Sequence, residues 1–545
     1  MSVQDENPAG PCSAPAVPAP DLAERARSVV TGLLNAPWGR VSPSVYETGR
    51  LVALAPWLTG HGERLGYLLA TQRPDGGWGA PGAYALVPTL SATDAVLTAM
   101  SDDSAARTAG ARTDSARPDS AGLARSAARG LDALTALLDG LSAQAVPDMP
   151  AVELISAHLA ERINDRLAGL GNLPHPELGL RQSRTRLRVP DGWDAGLGPI
   201  RSLMSAGRPV PPKLVHALEI AGAAAHRTAS ARPGPRTGGV GASPAATAAW
   251  LGNGGPPPPA DPARRFLEAA VAQHGGPVPC GVPITVFERA WVLSGLLRAG
   301  VPVSVPPALT ASLAAAIGTS GTPAGEGLPA DADTTSVTLY ALALLGSPHE
   351  PESLLQYELN DRFCTWEGEQ GASVTTNAHV LDAFGEFLKH RPDARARYAP
   401  SMVKAAHWLQ GRQHPDGSWT DRWHVSPYYA TACAALALRH FGGIAASGNV
   451  RRAEQWVVDS QRADGSWGWW NGTAEETAHA MLVLLSAEER GPVSHHARAA
   501  VARGRDWLLG VTDWTDGPAL WHDKDLYLPG AIVEATVLGA LHLAR

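Results

Sequence analysis

The sequence has few cysteines and no long apolar run. Its four cysteines are Cys12, Cys280, Cys364 and Cys433. They lie far apart, which matches neither a disulfide framework nor a zinc-binding motif and favours a reducing compartment. No apolar stretch of about 20 residues predicts a membrane-spanning helix, and residues 1–20 lack the residue order of a signal peptide. We therefore expect a soluble, cytoplasmic protein without a transmembrane segment.

The sequence also lacks an excess of positive charge. It has 45 Lys and Arg against 52 Asp and Glu, a net charge of -7 at pH 7, and no basic block. Nucleic-acid binding requires a cationic face, so no nucleic-acid partner is expected. With 545 residues, of which 44% are hydrophobic, the chain can form the cores of two or three domains.

What the sequence does contain is a repeated motif. The pattern Q-x-x-x-G-x-W occurs three times, beginning at Gln72, Gln413 and Gln461, with an Asp-Gly pair in each copy. Each copy lies between two predicted helices, which indicates a helical repeat architecture. The Asp-Gly pair predicts a tight turn. The Trp is expected to stack on the Gln amide and to link neighbouring helices.

The second half of the chain alternates two kinds of predicted helix. Alanine-rich apolar helices follow Thr334, Thr376, Tyr429, Glu476 and Ile532, and charged amphipathic helices separate them. This alternation is expected when small-residue helices surround an axis and amphipathic helices cover them. It predicts an α/α barrel if about six pairs close into a ring, and closure cannot be read from the sequence.

Three segments have a biased composition. Residues 1–20 are rich in Pro and Ala and are predicted to be disordered. Residues 102–126 and 228–264 are of low complexity and are predicted to be loops or disordered. The latter two lie within a separate helical block that ends near residue 280, where dense helical pairing resumes.

Residues Gly327–Gly346 place Asp331 and Asp333 directly before an apolar helix. An Asp at a helix start commonly caps the free backbone N–H groups. Two aspartates in apolar surroundings also suit acid chemistry, because burial and a neighbouring carboxylate raise the pKa and keep a carboxyl protonated. The residues alone leave both interpretations open.

The repeats, the D-A-D-T-T element and strings such as SVYETGRLV, PITVFERAW and WHDKDLY resemble the class II terpene cyclases, relatives of squalene–hopene cyclase and bacterial copalyl diphosphate synthases. The resemblance extends from about residue 44 to the C-terminus. It implies an all-α fold of two α/α barrels with the active cavity between them. The β domain would comprise residues 21–43 and 281–545, and the inserted γ domain would comprise residues 44–280.

The family's acid motif is D-x-D-D, whose middle Asp protonates the terminal alkene of an isoprenoid diphosphate. The resemblance assigns this role to Asp333 and makes Asp331 the neighbour that raises its pKa. An ordinary Asp is protonated in only about one molecule in a thousand at pH 7, so the acid needs a dry pocket. Thr334 replaces the third acid, and its hydroxyl is expected to donate to Asp333.

The D-x-D-T-T variant resembles bacterial cyclases that convert farnesyl diphosphate into drimenyl diphosphate, so farnesyl diphosphate is the expected substrate. Geranylgeranyl diphosphate, giving a copalyl-type product, is the rival. The metal motifs D-D-x-x-D and N-S-E of class I enzymes are absent, so the product is expected to keep its diphosphate. Mg²⁺ is expected to bind that diphosphate. Glu47, Glu161 and Asp165 are candidates for indirect metal contacts.

Aromatic faces can stabilise a carbocation without capturing it. The candidates at junctions between loops and inner helices are Trp366, Trp423, Tyr428, Tyr429, Trp470 and Trp521; a core role is the alternative for each. Lys524 is expected to pair with the diphosphate, with a solvated surface lysine as the alternative. His379 and Asn377 could buffer the cavity or polarise the acid, although a core His and a helix-capping Asn are the ordinary interpretations. No terminal base is assigned.

Three other classes of protein fit part of the sequence. D-A-D-T-T also matches the D-x-D-x-T motif of haloacid-dehalogenase-type phosphatases, but the preceding GTPAGEGLPA offers no apolar strand. Protein prenyltransferase β subunits share α/α barrels, but they need an Asp/Cys/His zinc set that cannot be assembled here. In a helical-repeat binding scaffold, both aspartates would serve only as caps.

Overall fold

The computed structural model describes most of the chain. The described residues are 21–108, 118–141, 146–169, 178, 185–252, 254–486 and 494–545. The predicted disordered segment 1–20 lies outside them. Among the helices of these residues, none combines the length and the apolar character needed to cross a membrane.

The regular structure of the described residues is almost entirely helical. The α-helices are α1 (Leu22–Asn35), α2 (Val45–Leu54), α3 (His61–Ala70), α4 (Leu86–Thr108), α5 (Ser120–Asp139), α6 (Val152–Gly169), α7 (Leu197–Ser205), α8 (Pro244–Leu251), α9 (Pro262–His274), α10 (Thr285–Arg298), α11 (Pro307–Ala316), α12 (Ala332–Leu344), α13 (Val374–His390), α14 (Arg395–Gly411), α15 (Pro427–Phe441), α16 (Ser447–Asp459), α17 (Ala474–Leu485), α18 (His495–Gly510) and α19 (Gly530–Leu543). The 3₁₀ helices are Gly82–Ala85, Pro212–Ala225, Pro351–Tyr357, Pro392–Ala394 and Ile444–Ala446. Two antiparallel strand pairs complete the set: β1 (Thr322–Pro323) with β2 (Ala330–Asp331), and β3 (Trp521–His522) with β4 (Leu526–Tyr527).

Six inner helices of the second half form a closed ring. In order around the ring, α10, α12, α13, α15, α17 and α19 each contact the next, and α19 contacts α10. The outer layer consists of α1, α11, the 3₁₀ helix Pro351–Tyr357, α14, α16 and α18. The inner helices are buried on nearly all sides, whereas α16 is buried along one stripe. The predicted closure into an α/α barrel is therefore present.

A smaller ring precedes it in the chain. It consists of α2, α4, α6, the 3₁₀ helix Pro212–Ala225 and α8, which returns to contact α2. Helices α3, α5, α7 and α9 cover it from outside. Each ring has its own buried apolar cluster, and a third cluster around Phe266 joins the two rings. The exact domain boundaries near residues 43 and 280 stay a prediction.

The three Q-x-x-x-G-x-W motifs link outer helices to one another through backbone hydrogen bonds. The fully buried Trp419 donates from Nε1 to the Leu409 carbonyl in α14, at 2.9 Å. The amide of Gln413 donates to the Asn449 carbonyl in the next outer helix, α16, at 2.8 Å. The other copies make the same bonds: Trp78 to Leu68, Gln72 to Ser126, Trp467 to Val457 and Gln461 to Ala500. The predicted linking role is confirmed, and the links are hydrogen bonds to the backbone.

Two segments predicted as loops contain helices. Within residues 228–264, Pro244–Leu251 forms the inner helix α8, capped by the Ser243 hydroxyl. The loop prediction was wrong there because Ala and Thr side chains, which make a segment low in complexity, also suit the tight interior of a ring. The segment 102–126 is helical at both ends, in α4 and α5, and residues 109–117 lie outside the described residues.

Candidate active site

A cavity of about 380 Å³ lies between the two rings. The larger ring lines it with the first turns of α12, α13 and α15 and with the β3–β4 hairpin, and the smaller ring lines it around residues 148–151 and 213–217. Its aromatic lining residues are Phe287, Trp366, Trp423, Tyr429, Trp521 and Tyr527. The cavity is therefore an aromatic space with a small number of charged groups in its wall, and Asp331 and Asp333 are among them.

Asp331 is the N-cap of α12. Its Oδ1 accepts a hydrogen bond from the Thr334 backbone N–H at 2.6 Å, and its Oδ2 accepts one from the Thr334 hydroxyl at 2.9 Å. The capping interpretation is thus confirmed for Asp331. The expectation that Thr334 donates to Asp333 was wrong, because this hydroxyl completes the cap instead.

Asp331 nevertheless holds its proton far better than an ordinary Asp. Burial raises the pKa of this carboxyl to about 7, and the nearby charge of Asp333 acts in the same direction. The two hydrogen bonds from Thr334 oppose this shift because they favour the ionised form. At neutral pH, Asp331 is therefore close to half protonated, whereas an ordinary Asp is almost fully ionised.

Asp333 lies one residue into α12 and contacts the neighbouring inner helix. Its Oδ1 is 2.7 Å from Nδ1 of His379 in α13. Burial acts to lower the pKa of His379, but the Asp333 carboxylate outweighs burial and raises that pKa well above its ordinary range. His379 is therefore an imidazolium that donates to Asp333. Such a donor stabilises the carboxylate left behind when Asp333 gives up a proton.

Asn377 has a structural role, but not the helix-capping role predicted for it, because Ser373 is the N-cap of α13. Its side chain accepts from the Phe363 N–H at 2.9 Å and donates to the Phe363 and Ser373 carbonyls. It is fully buried and fixes the loop that precedes α13. His379, in contrast, belongs to the acid cluster.

Four of the six predicted aromatic residues line the cavity. Trp366 and Trp423 meet edge to face with ring centroids 5.1 Å apart, and Trp521 lies beside Tyr429 at 4.7 Å. The hydroxyl of Tyr429 accepts a hydrogen bond from the Trp291 indole at 2.9 Å, which fixes the phenol ring.

The structure places the other two predicted aromatics elsewhere. Tyr428 packs against Trp456 of the outer helix α16, and the half-buried Trp470 meets Tyr84 edge to face. Neither lines the cavity between the rings. Two cavity aromatics were missed, Phe287 and Tyr527. Phe287 lies in PITVFERAW and Tyr527 lies in WHDKDLY, two of the strings that carry the family resemblance. Their position in these strings could have marked them as candidate cavity residues.

Lys524 is enclosed between the rings. Its Nζ lies 2.6 Å from Glu47 Oε1 and 2.9 Å from Glu219 Oε1, and it donates to the Ser243 hydroxyl at 2.8 Å. The side chain is fully buried and does not line the cavity. The expected role of Lys524 as a diphosphate ligand is therefore corrected: its charge is neutralised by protein carboxylates that join the two rings.

Among the described residues, one arginine and one lysine line the cavity wall. Arg422 is paired with Asp148 and Glu369, so its charge is already compensated. Lys213 is exposed and lies 5.7 Å from the centroid of the Trp366 ring. Within the described part of the chain, Lys213 has no ion-pair partner. It is therefore the wall cation that is available to an anion.

The three candidates for metal contact do not lie together at the cavity. The Glu47 carboxylate is held by Lys524 and by Ser243. Glu161 pairs with Arg201, and Asp165 lines the same separate cleft on α6. The described residues contain no group of three or more His, Cys, Asp or Glu side chains that could hold a metal ion.

Comparison with known proteins agrees with this architecture. Residues 370–530 match the squalene-hopene cyclase C-terminal domain family. The chain is 41% identical over 527 residues to the ent-copalyl diphosphate synthase of Streptomyces sp. (strain KO-3988), covering 95% of this chain and 96% of that protein. It belongs to the class II terpene cyclases. A second relative of this class II terpene cyclase is the labda-7,13-dienyl diphosphate synthase of Streptomyces clavuligerus, 40% identical over 96% of this chain and 93% of that protein.

The fold comparison gives the same result. The structure of ent-copalyl diphosphate synthase from Streptomyces platensis superposes with a TM-score of 0.88 and 44% identity, over 96% of this chain and 99% of that one. The predicted fold class, α/α barrels of the class II terpene cyclase type, is confirmed, and so is the enzyme class. The phosphatase alternative is excluded: Asp331 ends a two-residue strand, but α12 begins at the next residue.

The acid cluster predicts a dependence of activity on pH. Asp331 loses its proton as the pH rises through about 7, the pKa of this carboxyl, and we expect kcat to fall above that pH. Thr334→Val removes a hydroxyl that favours ionised Asp331. We expect the basic limb of the kcat–pH profile to move up by about one pH unit, the effect of one hydrogen bond to a charged group.

Thr338→Val is the matched control, because Thr338 is buried in the same helix and its hydroxyl has no hydrogen-bond partner among the described residues. The basic limb should stay in place in this variant. A Thr334→Val profile identical to the wild-type profile would contradict the described role of Thr334.

Proposed function

We propose that this class II terpene cyclase converts geranylgeranyl diphosphate into a bicyclic copalyl-type diphosphate. The observation that carries the proposal is the Asp331–Asp333–His379 cluster in the wall of an aromatic cavity. The choice of substrate rests on the relatives, which span the whole chain and are named copalyl or labda-7,13-dienyl diphosphate synthases. This choice replaces the expectation of farnesyl diphosphate and a drimenyl product.

The expectation of farnesyl diphosphate depended on Thr334 in the D-x-D-T-T motif. The position of Thr334 in the structure does not favour the shorter substrate. The Thr334 hydroxyl is bonded to Asp331 at the end of the cavity where the acid lies. A substrate would place its distal alkene at that end whatever its length, because the acid has to reach the alkene. Thr334 therefore tunes the acid and carries no information on chain length.

In the proposed reaction, Asp333 transfers its carboxyl proton to the distal alkene. The alkene CH becomes CH₂ and the tertiary carbon becomes a cation, which the next double bonds attack in turn. The remaining Asp333 carboxylate keeps the hydrogen bond from His379 at 2.7 Å. Because an alkene is a very weak base, this stabilisation has to be in place before the proton moves.

The aromatic wall suits the charge that then develops. Trp366, Trp423 and Trp521 present ring faces or edges to the cavity and carry no side-chain oxygen that could trap a carbocation. Ring faces attract a cation by about 0.5–2 kcal/mol each, most strongly where water is excluded. The two six-membered rings would therefore close before a nucleophile intervenes.

The diphosphate is retained in this proposal and lies near Lys213. A compact ammonium group suits a phosphate oxygen, and Lys213 is the uncompensated cation described above. We propose that Mg²⁺ accompanies the diphosphate, where it would neutralise part of its charge. The described carboxylates do not form a metal site of their own, so no step is assigned to the ion.

The substrate proposal predicts the outcome of a direct assay. The protein is incubated with geranylgeranyl or farnesyl diphosphate and Mg²⁺, the products are dephosphorylated, and the alcohols are analysed. We expect kcat/KM to be at least about tenfold higher for the longer substrate and the product to be a bicyclic C20 alcohol. Asp333→Asn keeps the shape of the side chain but has no acidic proton, so turnover should fall by about 10³-fold or more.

Asp361→Asn, at an exposed aspartate that does not line the cavity, serves as the control and should retain full activity. Consumption of farnesyl diphosphate alone would overturn the substrate proposal. Failure to consume either diphosphate would overturn the proposed cyclisation.

The proposed position of the diphosphate predicts a change in KM. Lys213→Gln removes the wall cation, so KM for the diphosphate should rise by about tenfold while kcat changes by less than about twofold. Removal of Mg²⁺ with EDTA should raise KM in the same direction. Lys404→Gln, at an outer-helix lysine paired with Glu358, is the control and should leave KM unchanged. An unchanged KM in Lys213→Gln would place the diphosphate elsewhere.

A further inference from the structure

The proposed cyclisation needs a second group besides the acid. After the rings close, a C–H bond next to the cationic carbon must break, and its proton must pass to a base. The aromatic rings that make up much of the cavity wall cannot accept that proton. A basic atom of the cavity wall at a position different from that of Asp333 would accept it, and the following inference rests on the proposed function.

Asp523 is a carboxylate in the cavity wall that the acid chemistry does not use. It lies in the turn between β3 and β4, opposite the 3₁₀ helix Pro212–Ala225 of the smaller ring. Its Oδ1 lies 2.6 Å from Nε2 of His216 and accepts the Lys524 backbone N–H at 2.7 Å. Oδ2 accepts no hydrogen bond from the described part of the chain. The Asp523 side chain keeps 11% of its surface accessible, and it lines the cavity.

The hydrogen bonds around His216 define the charges of His216 and Asp523. Nδ1 of His216 lies 2.6 Å from the Gly241 carbonyl oxygen, which can only accept, and Nε2 faces Asp523. Both ring nitrogens therefore donate, and His216 is an imidazolium. Burial acts to raise the pKa of Asp523, but the charge of His216 outweighs it and holds that pKa below the ordinary value. Asp523 is thus a carboxylate.

The backbone around Asp523 is firmly fixed. The Asp523 N–H donates to the Asp525 carbonyl at 3.1 Å, within the β3–β4 turn. Lys524, the next residue, is enclosed by two carboxylates of the smaller ring. Asp525 accepts from the Ser44 hydroxyl at 3.0 Å. Asp523 is consequently held at a defined position in the wall by contacts that cross between the rings.

We infer that Asp523 is the base that ends the cyclisation. Its Oδ2 would take the proton from a carbon next to the cation, the C–H electron pair would become the new C=C bond, and neutral Asp523 would return the proton to water after the product leaves. His216 is a positioning residue that holds Oδ1 and keeps the carboxylate ionised.

Other basic atoms of the cavity wall are less suited to this step. Asp148 and Glu369 each form an ion pair with Arg422. His522 has its Nδ1 on the Arg422 carbonyl. Its Nε2 is buried away from the accessible surface of the cavity and has no hydrogen-bond partner in the described part of the chain. Asp331 accepts two bonds from Thr334 and shares the acid cluster. Among these groups, Asp523 combines negative charge with an oxygen that no described donor holds.

A weakly basic carboxylate is sufficient for this step. A C–H bond next to a carbocation is far more acidic than any carboxylic acid, so a base with a low pKa can still remove the proton. The difficult step is the earlier protonation of the alkene. Loss of the base should therefore change which product forms much more than the rate at which substrate disappears.

The test uses Asp523→Asn, which keeps the shape of the side chain and removes its charge. Wild type and variant are incubated with geranylgeranyl diphosphate and Mg²⁺, and the dephosphorylated products are analysed. We expect substrate consumption to fall by less than about tenfold, in contrast to Asp333→Asn. The share of the wild-type alkene should fall by at least about tenfold, in favour of isomeric alkenes or a hydroxylated bicycle formed by capture of water.

Asp416→Asn is the control, because Asp416 accepts hydrogen bonds from Ser418 in a turn of the larger ring and does not line the cavity. It should lower thermal stability without changing the product ratio. If Asp523→Asn does not fold, Asp523→Ser is read in the same way, because it also removes the carboxylate. A changed product ratio supports the inference.

The outcomes separate the two proposals. A wild-type protein that consumes no isoprenoid diphosphate overturns the proposed function and the assignment of Asp523 with it. A wild-type protein that forms the bicyclic product, while the Asp523 variant forms the same product in the same proportion, overturns the assignment of Asp523 alone.

Discussion

The contact between Asp333 and His379 is the interaction on which the site depends. It requires α12 and α13 to lie side by side with their first turns at the same mouth of the ring. Small residues in the inner helices permit this close packing, and hydrogen bonds of the Q-x-x-x-G-x-W motifs fix the outer helices around them. The buried position of the acid cluster keeps water from the charges, so each hydrogen bond to them has a larger effect on proton transfer than it would have in water.

A second set of buried charges joins the two rings across the cavity. Lys524 is surrounded by Glu47, Glu219 and Ser243, all from the smaller ring. Burial of such charges is costly unless every partner is present, so this network favours one arrangement of the rings. The same hairpin presents Asp523 to the cavity beside His216. The network that joins the rings therefore also positions the group to which we assign the final proton.

Parts of this structure that depend on local sequence could be predicted, and parts that depend on the orientation of a helix could not. The cap at Asp331 and the linking role of Trp419 follow from short motifs. Tyr428 and Tyr429 are adjacent aromatics at one helix start, but a rotation of about 100° per residue turns one toward Trp456 and the other toward the cavity. Lys524 looked available for a ligand because its buried partners lie more than 280 residues earlier in the chain.

The central claim is that a buried aspartic acid transfers a proton to the distal alkene. The most direct measurement is incubation with geranylgeranyl diphosphate in D₂O, followed by NMR and mass spectrometry of the dephosphorylated product. The account predicts one deuterium atom on the ring CH₂ carbon that was the alkene CH, with the diphosphate retained before phosphatase treatment. A cyclised product without deuterium at that carbon, or a product released with loss of diphosphate, would contradict it.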